Sequence, residues 1–116
     1  MKKTIVNIDN LQKYLEYHYL GRANEQSMFM KLVEEIGEVA EVLNKRAGRK
    51  KADLTTEDKD LTEELGIELA DVIHYAVAIA AINNINLNDI ILEKDKKASI
   101  KYNHDINLYN FINKNN

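Results

Sequence analysis

Not one proline occurs among the 116 residues, and glycine occurs only four times. Proline and glycine are the residues that most often interrupt a helix, so this chain has little to stop long helices from forming. Its apolar residues recur at helical rather than strand spacing. A first helix is predicted from Asp9, a good N-cap, through Leu11, Tyr14, Leu15 and Leu20, with Gly21 ending it. A second is predicted from Asn24 or Ser27 to Ala47, with a stripe of Phe29, Leu32, Val33, Ile36, Val39, Ala40 and Leu43 and a stop at Gly48. A third opens near Thr56 or Thr62 and runs to Asn83. A fourth runs from Asn88 to Tyr102, and a short fifth from Ile106 to Ile112. The charged stretch from Arg46 to Asp60 reads as a loop. Four or five helices on short connections predict an all-α, antiparallel bundle forming one domain over residues 1–116.

Composition narrows the function. A net charge of −3 argues against general nucleic-acid binding, which needs a basic surface. An anionic substrate stays compatible, because a bound cation can invert the local charge. The chain contains no cysteine, which excludes disulfides and thiolate metal sites. No run of about 18 uninterrupted apolar residues occurs, so no spanning helix is expected. The opening Met1-Lys2-Lys3-Thr4-Ile5 lacks the apolar core of a secretory signal, and a cytoplasmic location is expected.

Two acidic motifs carry the chemistry. The second helix holds Glu34-Glu35-Ile36-Gly37-Glu38, and the third holds Glu68-Leu69-Ala70-Asp71. Each supplies an i, i+3 carboxylate pair on one helix face: Glu35 with Glu38, and Glu68 with Asp71. On antiparallel helices the pairs can face each other and surround one point. Four carboxylates there repel one another unless something positive intervenes. Oxygen-only donors favour a hard cation, Mg²⁺ first and Mn²⁺ second.

The two motifs are unequal. On a helical wheel Glu34, Glu38 and Glu41 lie opposite Leu32, Ile36 and Leu43, the position of an ordinary solvated face, and Glu35 sits at the stripe's edge beside Val39. From Leu65 to Ile82, by contrast, the third helix is apolar nearly all round, as in a buried helix. Glu64, Glu68, Asp71, Tyr75 and Ala78 share about 80° of arc. A buried carboxylate there needs a lysine partner, a metal or a wet cleft. The second helix offers acids at that height, which favours the metal. His74 is a further ligand or a neutral core histidine. Tyr75 stacks a base or fills the core.

These motifs, with Leu32-Val33-Glu34-Glu35-Ile36-Gly37-Glu38-Val39-Ala40-Glu41 and Glu68-Leu69-Ala70-Asp71-Val72-Ile73-His74-Tyr75, resemble the signature of the MazG-type enzymes over residues 25–103. These belong to the all-α NTP pyrophosphatase superfamily. The resemblance implies Mg²⁺-dependent hydrolysis of a nucleoside triphosphate to the monophosphate and pyrophosphate. It implies Glu35, Glu38, Glu68 and Asp71 as metal ligands and Glu34 as the residue that orients or deprotonates water. Lys31 matches a phosphate-contacting lysine of some members, and Lys97, Lys101 and Tyr102 match basic and aromatic positions late in the fourth helix. Departures are Ala98 where many relatives have Asn, Lys101 where they have Arg, Asn103 where proline often follows the tyrosine, and the absence of tryptophan. They bear on base recognition more than on the metal. A helix apolar on so many sides needs more cover than one chain offers, so a homodimer or dimer of dimers is expected. The competing readings are a phosphoribosyl-ATP substrate and a non-catalytic helical interaction module.

Overall fold

The computed structural model describes residues 2–48 and 58–114 and contains five helices: α1 (Ile8–Tyr19), α2 (Glu25–Arg46), α3 (Asp58–Ile82), α4 (Leu87–Lys101) and α5 (Leu108–Lys114). The all-α expectation holds. Most of the charged stretch predicted to be a loop, residues 49–57, lies outside the described residues; Arg46 closes α2 and Asp58 to Asp60 belong to α3.

Asparagine starts four of these helices. Asn7 caps α1 in a reciprocal box: its Oδ1 accepts from the Asn10 amide at 2.8 Å, and the Asn10 Oδ1 accepts from the Asn7 amide at 2.9 Å. The predicted start at Asp9 is therefore two residues late. The paired carboxamides satisfy two orphan N–H groups, leaving Asp9 in the first turn, where its charge suits the helix dipole. Asn24, Asn86 and Asn107 accept from the amides of Ser27, Asp89 and Asn110 in the same way. Stops use the left-handed region: Gly21 and Gly48 take φ 65° and 75°, and Asn84 and Asn103 take 55° and 56°. The His104 amide donates to the Ser99 carbonyl at 2.9 Å, closing α4 around Asn103.

α2 and α3 pack along their lengths, α1 lies on the C-terminal half of α3, and α4 packs against α1 and α5. The register is antiparallel. Glu25 at the start of α2 accepts from the side chain of Asn83 just beyond α3, at 3.0 Å, while Glu35 meets Glu68 and Asp71 further along. Leu15, Val77, Ala78 and Ala81 form the buried core, backed by Ile8, Leu11, Tyr19, Met28 and Leu87. The alanines of α3 let α1 approach closely. Buried Gln12 donates to the Ile85 carbonyl and accepts from the Leu87 amide at 3.3 Å, tying α1 to the α3–α4 turn.

The expectation that α3 is buried all round is corrected. Ile67, Leu69 and Ile73 are 56%, 44% and 50% exposed. α2 likewise has two apolar stripes. Met28, Leu32, Val39 and buried Val42 turn toward α3; Phe29, Val33, Ile36 and Leu43, about 100° round the helix, are exposed. This second stripe and the Leu69–Ile73 stripe of α3 lie in the same rotational sense from the seam. Because the helices are antiparallel, both fall on one side of the pair, opposite α1.

Leu61–Ile82 is long and apolar enough to cross a membrane by length and composition, a test that the interrupted apolar run had seemed to exclude. Core helices pass the same test, and here α1 and α2 both pack on the segment.

Candidate metal centre

The seam between α2 and α3 brings Glu35, Glu68 and Asp71 together. One carboxylate oxygen from each lies within 4.8 Å of the others, and all three side chains are half-buried. Glu68 and Asp71 are neighbours because α3 places residues three apart on one face; Glu35 meets them because it belongs to the α3-facing side of α2 with Leu32 and Val39. Partial burial pushes the Glu35 carboxyl above its ordinary value first. A shared hydrogen bond with Glu68, the negative charges of Asp71 and Glu68, and a hydrogen bond with Asp71 push it the same way.

Among the described residues, no lysine, arginine or histidine forms an ion pair with Glu35, Glu68 or Asp71. The lysine partner is thus not found there. The donor set suits a hard divalent cation. Neighbouring oxygens around an octahedral Mg²⁺ stand about 3.0 Å apart, given bonds of about 2.1 Å, so three oxygens within 4.8 Å of one another would draw closer around an ion.

The other predicted residues fall into two sets. Glu38 is exposed and stands outside the three-carboxylate group, one helical turn along α2 from Glu35. Glu34 is exposed and pairs with Lys31 at 3.5 Å, on the same side of α2 as Glu38. Tyr75 is half-buried, its ring edge-on to His74 at 4.8 Å. His74 is not among the clustered donors: its Nε2 meets the Tyr19 hydroxyl at 2.7 Å, so it serves the α1–α3 contact. The second set is not brought to the carboxylates within one chain. Lys97 pairs with Glu93 of its own helix at 3.9 Å, and the Lys101 ammonium sits 5.3 Å from the ring centre of its neighbour Tyr102.

Tyr19 is a residue the sequence reading passed over. Burial, then the nearby Tyr75 and Tyr14, raise its hydroxyl's pKa, and its bond to His74 holds the end of α1 one turn from Asp71. A tyrosine closing an amphipathic helix carries no sequence signal of a partner 55 residues away.

The class is thus that of all-α proteins with a carboxylate trio, a candidate metal-binding cluster, between two antiparallel helices. The family follows from comparison: residues 23–104 match the MazG nucleotide pyrophosphohydrolase domain, and the chain belongs to that family. It is also 32% identical over 88 residues to an uncharacterized Bacillus subtilis (strain 168) protein, YpjD, covering 75% of this chain and 76% of that one.

Proposed function

We propose that this protein hydrolyses a nucleoside triphosphate, ribo or deoxy, to its monophosphate and pyrophosphate, using Mg²⁺ at Glu35, Glu68 and Asp71, with Glu38 completing the set. The observation that carries this reading is the mutual approach of three carboxylates that share no cationic side chain among the described residues. Family membership supplies the reaction class.

A divalent ion held by these carboxylates would supply positive charge to the phosphates and acidify the attacking water. The chain's own residues do the rest. Water oxygen forms a bond to the α-phosphorus, the bond from that phosphorus to the bridging oxygen breaks, and pyrophosphate leaves with the electron pair. Glu34 orients the water and takes its proton. Lys31, 3.5 Å from Glu34, offers its charge to the phosphates. Tyr75 presents a ring beside the site for the base. The same reading places the protein in the cytoplasm as a homodimer or dimer of dimers.

The test is pyrophosphate release from a panel of NTPs and dNTPs, with and without Mg²⁺. Glu68→Gln and Asp71→Asn each lower turnover by more than about 100-fold, beyond what loss of an outer-shell contact costs. Their helical circular dichroism stays at the wild-type level. Full metal-dependent activity in both variants would overturn the assignment. A wild-type protein whose melting temperature ignores millimolar Mg²⁺ and Mn²⁺ would favour the interaction module.

A further inference from the structure

We infer that Tyr19 is a positioning residue for the carboxylate site: through His74 it fixes the ring of Tyr75, so that the end of α1 governs how tightly a nucleotide is held without touching nucleotide or metal. The nucleotide part of this inference rests on the function proposed above. Tyr75 stands one turn beyond Asp71 on the same face of α3 and is half-buried. His74 lies about 100° round the helix from it. Its Nε2 meets the Tyr19 hydroxyl at 2.7 Å. Its ring is held edge-on twice, to Tyr19 at 5.8 Å and 80° and to Tyr75 at 4.8 Å and 72°. Tyr19 is itself edge-on to His18 at 4.7 Å and 78°, and His18 stacks on exposed Tyr14 at 5.9 Å. A series of ring contacts thus runs from the surface of α1 to the ring one turn from Asp71.

The chemistry of this contact suits orientation better than cohesion. The centre of the α1–α3 contact is apolar, with Leu15 against Val77, Ala78 and Ala81. Apolar side chains at 19 and 74 would extend it without drawing a hydroxyl and an imidazole out of water. Apolar packing has no direction, whereas a short hydrogen bond and two edge-on contacts admit a narrow set of ring angles. The last side-chain torsion of a tyrosine is broad, so Tyr75 alone would leave its ring a wide choice of settings. Tyr19 also lies close enough to Tyr75 for a charge on one phenol to disfavour ionisation of the other, and burial adds to this, which keeps the Tyr19 hydroxyl neutral. His74 stands outside the clustered metal donors, so the ring can be reset without removing one of them.

Tyr19→Phe keeps the ring and removes the hydroxyl, and His74→Leu removes the nitrogen that meets it. In pyrophosphate-release assays on the preferred nucleotide, each should raise KM about tenfold and leave kcat within about twofold, the pattern of lost binding rather than lost chemistry. The Mg²⁺ concentration for half-maximal rate should not move. Both changes break one link, so the double variant should be no worse than His74→Leu alone. Tyr17→Phe, on a tyrosine 82% exposed on the same helix, should match wild type. In protein with labelled tyrosine rings, Tyr19→Phe should shift the Tyr75 NMR signals and leave those of Tyr102 and Tyr109 in place. A wild-type KM in folded Tyr19→Phe, or losses that add in the double variant, would overturn the inference and leave the reaction standing. If one single variant fails to fold, the KM of the other decides. A wild type that releases no pyrophosphate removes the proposed reaction instead. The ring signals then decide alone: moved Tyr75 signals uphold the link from Tyr19, and unmoved ones overturn it.

Discussion

Glu35 is the carboxylate on which pH acts most directly. Partial burial and the charges of Glu68 and Asp71 hold its pKa above that of an ordinary glutamate. The folded chain therefore prefers the protonated form. The resulting stability is fully present below the ordinary glutamate value and is lost as pH rises through the raised one. Metal-free protein should melt at a higher temperature near about pH 4 than the same group allows at neutrality. Mg²⁺ binds the ionised form, so its stabilising effect should grow over the same window. Glu35→Gln removes both trends: thermal melts across pH, with and without Mg²⁺, should show a flatter metal-free profile and no gain from the ion. Superimposable profiles for wild type and variant would show that the trio is not coupled. At this scale the sequence was informative about Glu68 and Asp71, because an apolar helix offers no ordinary reason for them. It separated Glu35 from Glu38 only faintly, by one side chain's place at a stripe's edge. Tyr19 and His74 were illegible because their contact depends on where α1 docks.

Helix count and order were readable from the scarcity of breakers and the 3.6-residue pattern, whereas helix starts were not. Asparagine does here what Asp9 and Asn88 were expected to do, two residues earlier in each case, and a reciprocal Asn7–Asn10 box leaves no periodic trace. Where α4 goes was also hidden. Its course follows from the α3–α4 turn, in which Asn84 adopts a left-handed backbone and Gln12 clasps both sides of the bend. Removing the clasp tests its weight. Gln12→Ala leaves the partly buried Leu87 amide and Ile85 carbonyl short of partners and should cost about 1 kcal/mol in urea unfolding. Metal binding, placed on the other helices, should persist. A variant as stable as wild type would mean that water replaces the glutamine. Asn103 shows a second consequence at this scale. Its φ of 56° is closed to proline, so the residue common in relatives at this position is incompatible with the way this α4 ends.

At the scale of the whole molecule, the openness of the single chain supports the proposal that a second copy covers part of it. Its radius of gyration is 17.6 Å, against about 13 Å for a compact domain of this length. It exposes 9432 Å², against about 6,500 Å² for a compact monomer of 13.4 kDa. The difference exceeds the area buried in a standard protein–protein interface, about 1,600 Å². Much of the excess is apolar and continuous: Phe29, Val33, Ile36 and Leu43 on α2 run beside Leu69 and Ile73 on α3, on the side away from α1. Two copies joined across this face by a twofold axis would form a four-helix core, leaving each carboxylate mouth on an outer side. A charge in the middle of the stripe tests that arrangement. Ile36 is 52% exposed in the single chain, so Ile36→Glu should cost the isolated subunit little. In a paired face the same carboxylate would be desolvated without a partner, enough to split the assembly at micromolar concentration. Light scattering should then show the variant's mass near 13.4 kDa and the wild type's at twice or four times that. Ile36→Val, which keeps the stripe apolar, should behave as wild type. Equal masses for Ile36→Glu and wild type would remove this face from the assembly and leave the long apolar edge of α3 without an explanation.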